Sequence, residues 1–397
     1  MAFMPPFCPY GGCDNHHLDD PRDQDQREPQ AAVIRARERW WLRRGSFATA
    51  HSGPVARYCC RSCGRTFSSR TFSAHFATHR YVDLRRLAAR INGGGGVRGI
   101  ARELGCSPKV VLNRIGRLAR GALGVHSDLR ASSATLGEQL VADGFESFVG
   151  SQYWPAEFTI LVGAHSQYLY SLDYAQLRRK GRMSPAQRRR RDALVERDVI
   201  AGAQVRRSFS RILDEMQRLW YEPSQRRSGT TQLVLSTDRH NSYTRAIAAD
   251  AQLCGLGAQG VFIHRQVDSR APRTVSNPLF SANYFDREIR KDISAHVRQS
   301  VQFARSVNNA MQRLWLYAVW HNCFKARRIN GADHSTHAEH IGLSAQLLQP
   351  VRTRMFSRRY FLSRMSFSAS QWRTWVGGWA APLLQTTAQR LPAYVLA

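Results

Sequence analysis

Residues 233–243 read LVLSTDRHNSY, a short apolar run that ends on Asp238 and turns at once into a helix-like segment. A second carboxylate, Asp143, sits inside another apolar run, LVADGFESF. Strand-like segments occur at 138–149, 158–165, 167–175, 232–237 and 259–267, with the helical stretch SYTRAIAADAQL between the last two. Strands in succession, then strand–helix–strand, then helices, predict an α/β domain with a mixed sheet flanked by helices. Taken singly, each Asp reads as an ordinary strand-end turn residue. If their strands are parallel neighbours, the two carboxylates can share divalent cations. Hard oxygen ligands suit Mg²⁺ or Mn²⁺. Two such ions about 3.5–4 Å apart stabilise the entering and leaving oxygens of an in-line phosphoryl transfer.

A third ligand is expected on the helix predicted from residue 283 onward, which carries Asp286, Glu288 and Asp292. Asp286 is the preferred choice, since Asn283 and Arg290 lie one turn before and after it on the same face. Arg290 is then expected to reach a DNA phosphate. Glu288 points to the other side of a regular helix, and Asp292 reads as an ion-pair partner.

Outward from this domain, charge names the class of partner. Lys and Arg number 58 against 29 Asp and Glu, a formal charge of +29, while 43% of the residues are hydrophobic. Such an excess on a folded chain points to a polyanion, because basic clusters gain affinity by releasing counterions from phosphates. No run approaches the roughly 20 apolar residues of a membrane helix, and the first residues, MAFMPPFCPY, do not read as a signal peptide.

Of eight cysteines, five lie before residue 64. FCPYGGC and YCCRSCGRTF supply two tight pairs, Cys8 with Cys13 and Cys60 with Cys63, which can furnish the four thiolates of a tetrahedral Zn²⁺ site. Cys59 is the spare. A rival set takes Cys60 and Cys63 with His75 and His79, leaving Cys8 and Cys13 unexplained; His16 and His17 read as loop histidines. Further on, VRGIARELGCSPKVVLNRIGRLA (97–119) has helix-turn-helix spacing. Ile100, Ala101, Leu104, Val111 and Ile115 form its core, Gly105 the turn, Ser107 the cap and Pro108 the first helical position. Lys109, Asn113, Arg114 and Arg117 are left to meet bases and phosphates in a major groove. Residues 14–39 read as a loop, 126–136 as a linker and 176–227 as a basic helical insertion. His321 and Asn322 are placed near the acidic site, and Trp372, Trp375 and Trp379 in a core or a dimer contact.

In this order, CPYGGC, CRSCGRTFS, the helix-turn-helix, DGFESF, STDRHNSY and NYFDREIRKDISAHVRQSVQFARS resemble bacterial insertion-sequence transposases of the RNase H-like DDE type, the insertion-element-one-like group especially. The resemblance spans roughly residues 8–325. It implies a zinc ribbon (1–70), a helix-turn-helix domain (71–125), an RNase H-like catalytic domain (126–330) with its insertion at 176–227, and a helical tail (331–397). It also implies that Asp143, Asp238 and Asp286 hold two catalytic Mg²⁺ or Mn²⁺ ions. Aligning VRQSVQF with a similar run of the family instead puts the third ligand at Asn283. Further implications are double-stranded DNA as partner (terminal inverted repeats and target), a homo-oligomer, and a bacterial cytoplasmic, nucleoid-associated location. Two other readings share these modules: a DNA-binding regulator derived from an inactive transposase, and an RNase H-like nuclease.

Overall fold

The computed structural model describes residues 3–18, 39–49, 53–132, 137–197, 202–221, 232–297, 302–328, 333–379 and 391–396. Most of the expected loop at 14–39 (19–38) lies outside the described residues. Strands β1 (Trp41–Thr49), β2 (Gly53–Cys60) and β3 (Thr66–Ser68) form an antiparallel sheet in that order. Its aromatic core, Phe7, Tyr58, Phe67 and Phe72, is closed by Phe361 from far along the chain.

Three helices follow: α1 (Leu84–Asn92), α2 (Val97–Glu103) and α3 (Pro108–Ser132). Ile100, Ala101, Val111 and Ile115 are buried as the helix-turn-helix spacing predicts. The Ser107 hydroxyl accepts the Val110 amide at 3.4 Å, as expected of a cap. The expected linker at 126–136 is different. Helix α3 continues without a break to Ser132, and residues 133–136 alone of that stretch lie outside the described residues. Val125, His126 and Leu129 are buried, and Arg130 makes a buried ion pair with Glu215 at 2.7 Å. Packing on one side and a buried salt bridge on the other hold helical a segment whose serines favour a turn. The helix-turn-helix and the α/β region therefore share one hydrophobic core.

That region is a five-stranded mixed sheet in the order β6-β5-β4-β7-β8, formed by β4 (Leu140–Val149), β5 (Ser151–Gly163), β6 (Leu169–Gln176), β7 (Leu233–Asp238) and β8 (Phe262–Val267). The β4–β5 and β5–β6 pairs are antiparallel, whereas β4–β7 and β7–β8 are parallel. Every residue of β6 is buried, and so is β5 from Trp154 on, as expected of strands covered on both faces. The edge of β6 is closed by Asn322, whose amide gives and takes 2.9 Å bonds with the Leu169 backbone.

The basic block divides into two unlike helices. Helix α4 (Pro185–Arg197) is polar and mostly exposed. Helix α5 (Gln204–Tyr221) buries Phe209, Ile212, Leu213, Met216 and Leu219, spaced three and four apart, and packs on β5 and β6. It forms a layer of the domain against the sheet. SYTRAIAADAQL is likewise two helices, α6 (Asn241–Ala248) and α7 (Ala251–Ala258), separated where Asp250 caps the second.

The helix expected from residue 283 onward is also split, into α8 (Phe280–Asp292) and α9 (Val307–Cys323). Between them the chain pairs with the sheet, Gly150 donating to the Ala304 carbonyl at 2.7 Å. Helix α9 is buried nearly all round and lies between α3 and β6. The remaining helices are α10 (His337–His340), α11 (Ala345–Arg354) and α12 (Ala369–Val376). Trp375 and Trp379 are core residues, while Trp372 is half exposed. The segment after α11 lies directly on α3: a Cβ at Gly124 would sit 2.0 Å from the Tyr360 ring.

Candidate functional site

The cysteines are assembled first by local structure. Cys13 Sγ lies 3.7 Å from Cys60 Sγ, and Cys8 Sγ 3.8 Å from Cys63 Sγ. All four sulfurs are within 4.8 Å of one another, the one group of three or more metal-ligating side chains among the described residues. Four sulfurs at ~2.3 Å from a central zinc stand about 3.8 Å apart, so these thiols can hold a tetrahedral metal ion such as zinc. Burial pushes the Cys60 thiol up, but the Cys63 and Ser62 amides and the Asn15 side chain outweigh it and bring it to about 6. That favours the thiolate a metal requires.

The rival ligands are elsewhere. The His75 ring stacks on Tyr81 at 4.8 Å, and neither His75 nor His79 joins the cluster. His16 bridges the Cys8 carbonyl at 2.7 Å and the Ser363 hydroxyl at 2.8 Å, which ties the cluster to the C-terminal segment. Cys59 turns away and bonds to the Gly64 carbonyl at 3.3 Å.

Strand register relates two of the carboxylates. The parallel pairs Leu140–Leu235 and Val141–Ser236, carried two residues further, bring Asp143 level with Asp238. Strand β7 stays paired with β8 as far as Asp238–Val267 and then turns into α6, so Asp238 stands at the carboxyl end of its strand, where open α/β sheets form their crevice. Asp238 accepts the His240 amide at 2.9 Å, and Asp143 accepts the Gly144 amide at 2.8 Å. Burial is the main cause that raises Asp143 to about 7; the charges of Asp238 and Asp286 add to it, and the exposed Arg273 opposes it. The Asp143 carboxyl thus feels the charges of both Asp238 and Asp286.

On α8, Asp286 is half-buried and its Oδ1 accepts Arg290 Nε at 2.8 Å. Arg290 also donates to the Glu146 carbonyl at 3.3 Å, so it fixes helix, acid and strand together. Asn283 is turned onto its own helix, donating to the Leu279 carbonyl at 3.0 Å. Glu288 is buried on the far side and ion-paired with Lys325, which also holds Asp292 at 2.5 Å. Glu288 is thus spent on an ion pair, while Asn283 commits its amide nitrogen to its own helix. His321 and Asn322 are engaged with Gln167 and Leu169 at the β6 edge.

One acid escaped the sequence reading. Glu157, on β5, extends over Gly144, where a Cβ would lie 2.7 Å from its Oε1. It is 8% exposed, and Oε1 has no partner. Burial, then Glu146, Asp143 and Asp238, raise it to about 7, against a hydrogen bond with Tyr243. By strand alternation it approaches the face of the sheet opposite Asp143, beside Tyr243, which stacks on Phe209 at 4.2 Å. A lone Glu inside an apolar strand, YWPAEFTILVG, was the available signal.

On the second helix of the helix-turn-helix, Lys109 and Asn113 are exposed as expected, but Arg114 and Arg117 are turned inward. Arg114 donates to the Arg80 carbonyl at 2.7 Å, and Arg117 to the carbonyls of Ala74 at 3.2 Å and Phe76 at 2.6 Å. The preceding loop presents carbonyls without strand or helix partners, and the two guanidiniums satisfy them. Among the described residues, no helix is long and apolar enough to cross a membrane. No protein-family model and no curated protein matches the chain.

Proposed function

We propose that the chain is a DNA transposase, an RNase H-like DDE-type polynucleotidyl transferase. In this reading its zinc ribbon and helix-turn-helix hold the element's terminal repeats. The observation that carries it is the β4–β7 register, which brings Asp143 level with Asp238, with Asp286 near enough to add its charge. The donor set fits Mg²⁺ or Mn²⁺, being carboxylate oxygens whose mutual repulsion a cation relieves. A pair of such ions supplies Lewis-acid stabilisation of the entering and leaving oxygens in phosphoryl transfer.

The residues have separate tasks. Asp143 and Asp238 present oxygens from neighbouring strands, so their separation is fixed by the sheet. Asp286 adds a third, oriented by Arg290. Arg273 brings positive charge to the crevice, and the net charge of +29 draws DNA to the protein. Lys109 and Asn113 are the exposed residues available for base or phosphate contact.

The test is Mg²⁺-dependent nicking and joining of duplexes carrying the DNA that flanks the gene, with Asp238→Ala as control. Activity retained in that variant overturns the mechanism. Metal-dependent cleavage without joining favours the nuclease reading.

A further inference from the structure

A cationic recess lies away from both clusters, between α3 and the C-terminal segments. It is lined by Arg117 and Arg120 of α3, by Arg358, and by Trp375 and Tyr394, and no acidic side chain lines it. Two of the three guanidiniums are held by neutral groups. Arg117 donates to Tyr394 Oη at 2.6 Å besides its two loop carbonyls. Arg358 donates to the carbonyls of Thr71 at 2.9 Å and Tyr394 at 2.7 Å, with its charge 4.2 Å from the centre of the Phe361 ring. Arg120 differs. Its Nε donates to the Trp375 carbonyl at 3.1 Å, and its two terminal nitrogens have no partner among the described residues.

Three cations gathered in a half-buried recess repel one another, and withdrawal from water adds to the cost. Burial pulls Arg120 and Arg358 down to about 10, and Arg358 is lowered further by the charges of Arg117 and Arg120. Carbonyls supply hydrogen bonds but no net charge. An anion with several oxygens supplies both, and the guanidinium fork matches a tetrahedral oxyanion in bidentate fashion.

We propose that this recess is a phosphate-binding site, with Arg120 as the residue that closes on the ligand and Arg117 and Arg358 as its fixed walls. The phosphate is either a free one or a DNA backbone phosphate, since α3 also carries the exposed Lys109 and Asn113. The site does not depend on the transposase reading. An occupied site clasps α3 to the segments that bring Arg358 and Tyr394, and so sets the inner side of the helix whose outer side is available to DNA.

The experiment uses the full chain and inorganic phosphate as probe. Thermal unfolding is followed with phosphate and with chloride at matched ionic strength, and calorimetry gives the stoichiometry. Expected are a saturable rise in Tm specific to phosphate and one site per chain. Arg120→Gln abolishes the rise without lowering the Tm of the unliganded protein, because a repelling charge is gone. Arg120→Lys, which keeps the charge and loses the fork, binds about tenfold more weakly, a difference of ~1.4 kcal/mol. A chloride response equal to that of phosphate, or an Arg120→Gln protein that binds phosphate like the wild type, overturns the proposal. The source is decided with a 20-base-pair duplex titrated across salt concentrations. A fall of about one in the salt slope of Arg120→Gln assigns a backbone phosphate. An unchanged slope beside a lost phosphate response assigns a free one.

Discussion

The cysteine cluster and the carboxylate crevice are each a set of would-be anions drawn from distant parts of the chain, and they are built on opposite plans. Around the sulfurs the donor set is complete: four donors, spacings of 3.7 and 3.8 Å, and backbone amides that favour the thiolate of Cys60, although burial pushes the Cys8 and Cys13 thiols up. Around the carboxylates the balance is open. Asp143 is raised by burial and by its charged neighbours, and Asp286 leans on Arg290. A closed four-donor shell suits a metal that holds a fold, whereas an open one leaves positions for a substrate. On the proposed function, the difference separates a part that stabilises the chain from a part that reacts at some cost to stability.

Asp238→Ala is the strongest way to break this contrast. We expect metal-dependent DNA cleavage to fall at least about a thousandfold, ~4 kcal/mol of barrier, while the metal-free protein keeps or gains Tm because a repelling charge is lost. A large drop in metal-free Tm would make the crevice a stabilising element and erase the contrast. Cys60→Ser is the mirror experiment. Bound zinc, measured by mass spectrometry of metals, should fall from one ion per chain to near none. The unit around Phe7, Tyr58, Phe67 and Phe72 should then become protease-sensitive, since apparent zinc affinities of roughly 10–16 kcal/mol act as folding energy in such sites. An unaltered digestion pattern in the zinc-free protein would show that aromatic packing alone suffices there.

Acidity sharpens the comparison. Asp143 and Glu157 are both raised to about 7 in the folded protein, from ordinary values near 3.8 and 4.5. A carboxyl with a raised folded value binds its proton more tightly folded than unfolded. Its contribution is therefore full below the unfolded value and is lost as pH rises towards 7. Without divalent cations, the protein should lose on the order of 6 kcal/mol between pH 4.5 and 7.5, about half from each carboxyl. Denaturant titrations should show Glu157→Gln removing part of this slope, and Mn²⁺ should restore stability at the alkaline end. A flat profile in the wild type would mean that the crevice carries no uncompensated charge.

How far the sequence carried each region follows from the range of the contacts involved. The cysteine knuckles are short-range, so Cys8, Cys13, Cys60 and Cys63 could be read from their spacing, and Cys59 set aside. Asp143 and Asp238 were legible because apolar runs locate strands, although their register is a tertiary fact. Arg114 and Arg117 misled because helical periodicity says which residues share a face and not what covers it. Here the cover is a loop of bare carbonyls together with Tyr394, 277 residues after Arg117. Helix α5 was read only in part for a similar reason: its arginines drew attention, while Phe209, Ile212 and Met216 decided its position. The serines of 126–136 argue for a linker, and the buried Arg130–Glu215 pair overrules them.

The third ligand gives the smallest expected effect and the finest test of the open shell. Asp286 and Asn283 are one turn apart on α8, and family resemblance can place the metal ligand on either. Their side chains are engaged differently: Asp286 keeps one oxygen beyond the Arg290 bond, while Asn283 spends its amide nitrogen on the Leu279 carbonyl of its own helix. A ligand must offer a lone pair towards the crevice, and a carboxylate does so with charge that a neutral amide lacks. Asp286→Ala should therefore cost about a hundredfold in cleavage rate, ~2.7 kcal/mol. Asn283→Ala should cost less than about threefold, since the bond it loses is one within the helix. The reverse order of effects in single-turnover assays would move the third position to Asn283 and leave Asp286 as the partner that steadies Arg290 against β4.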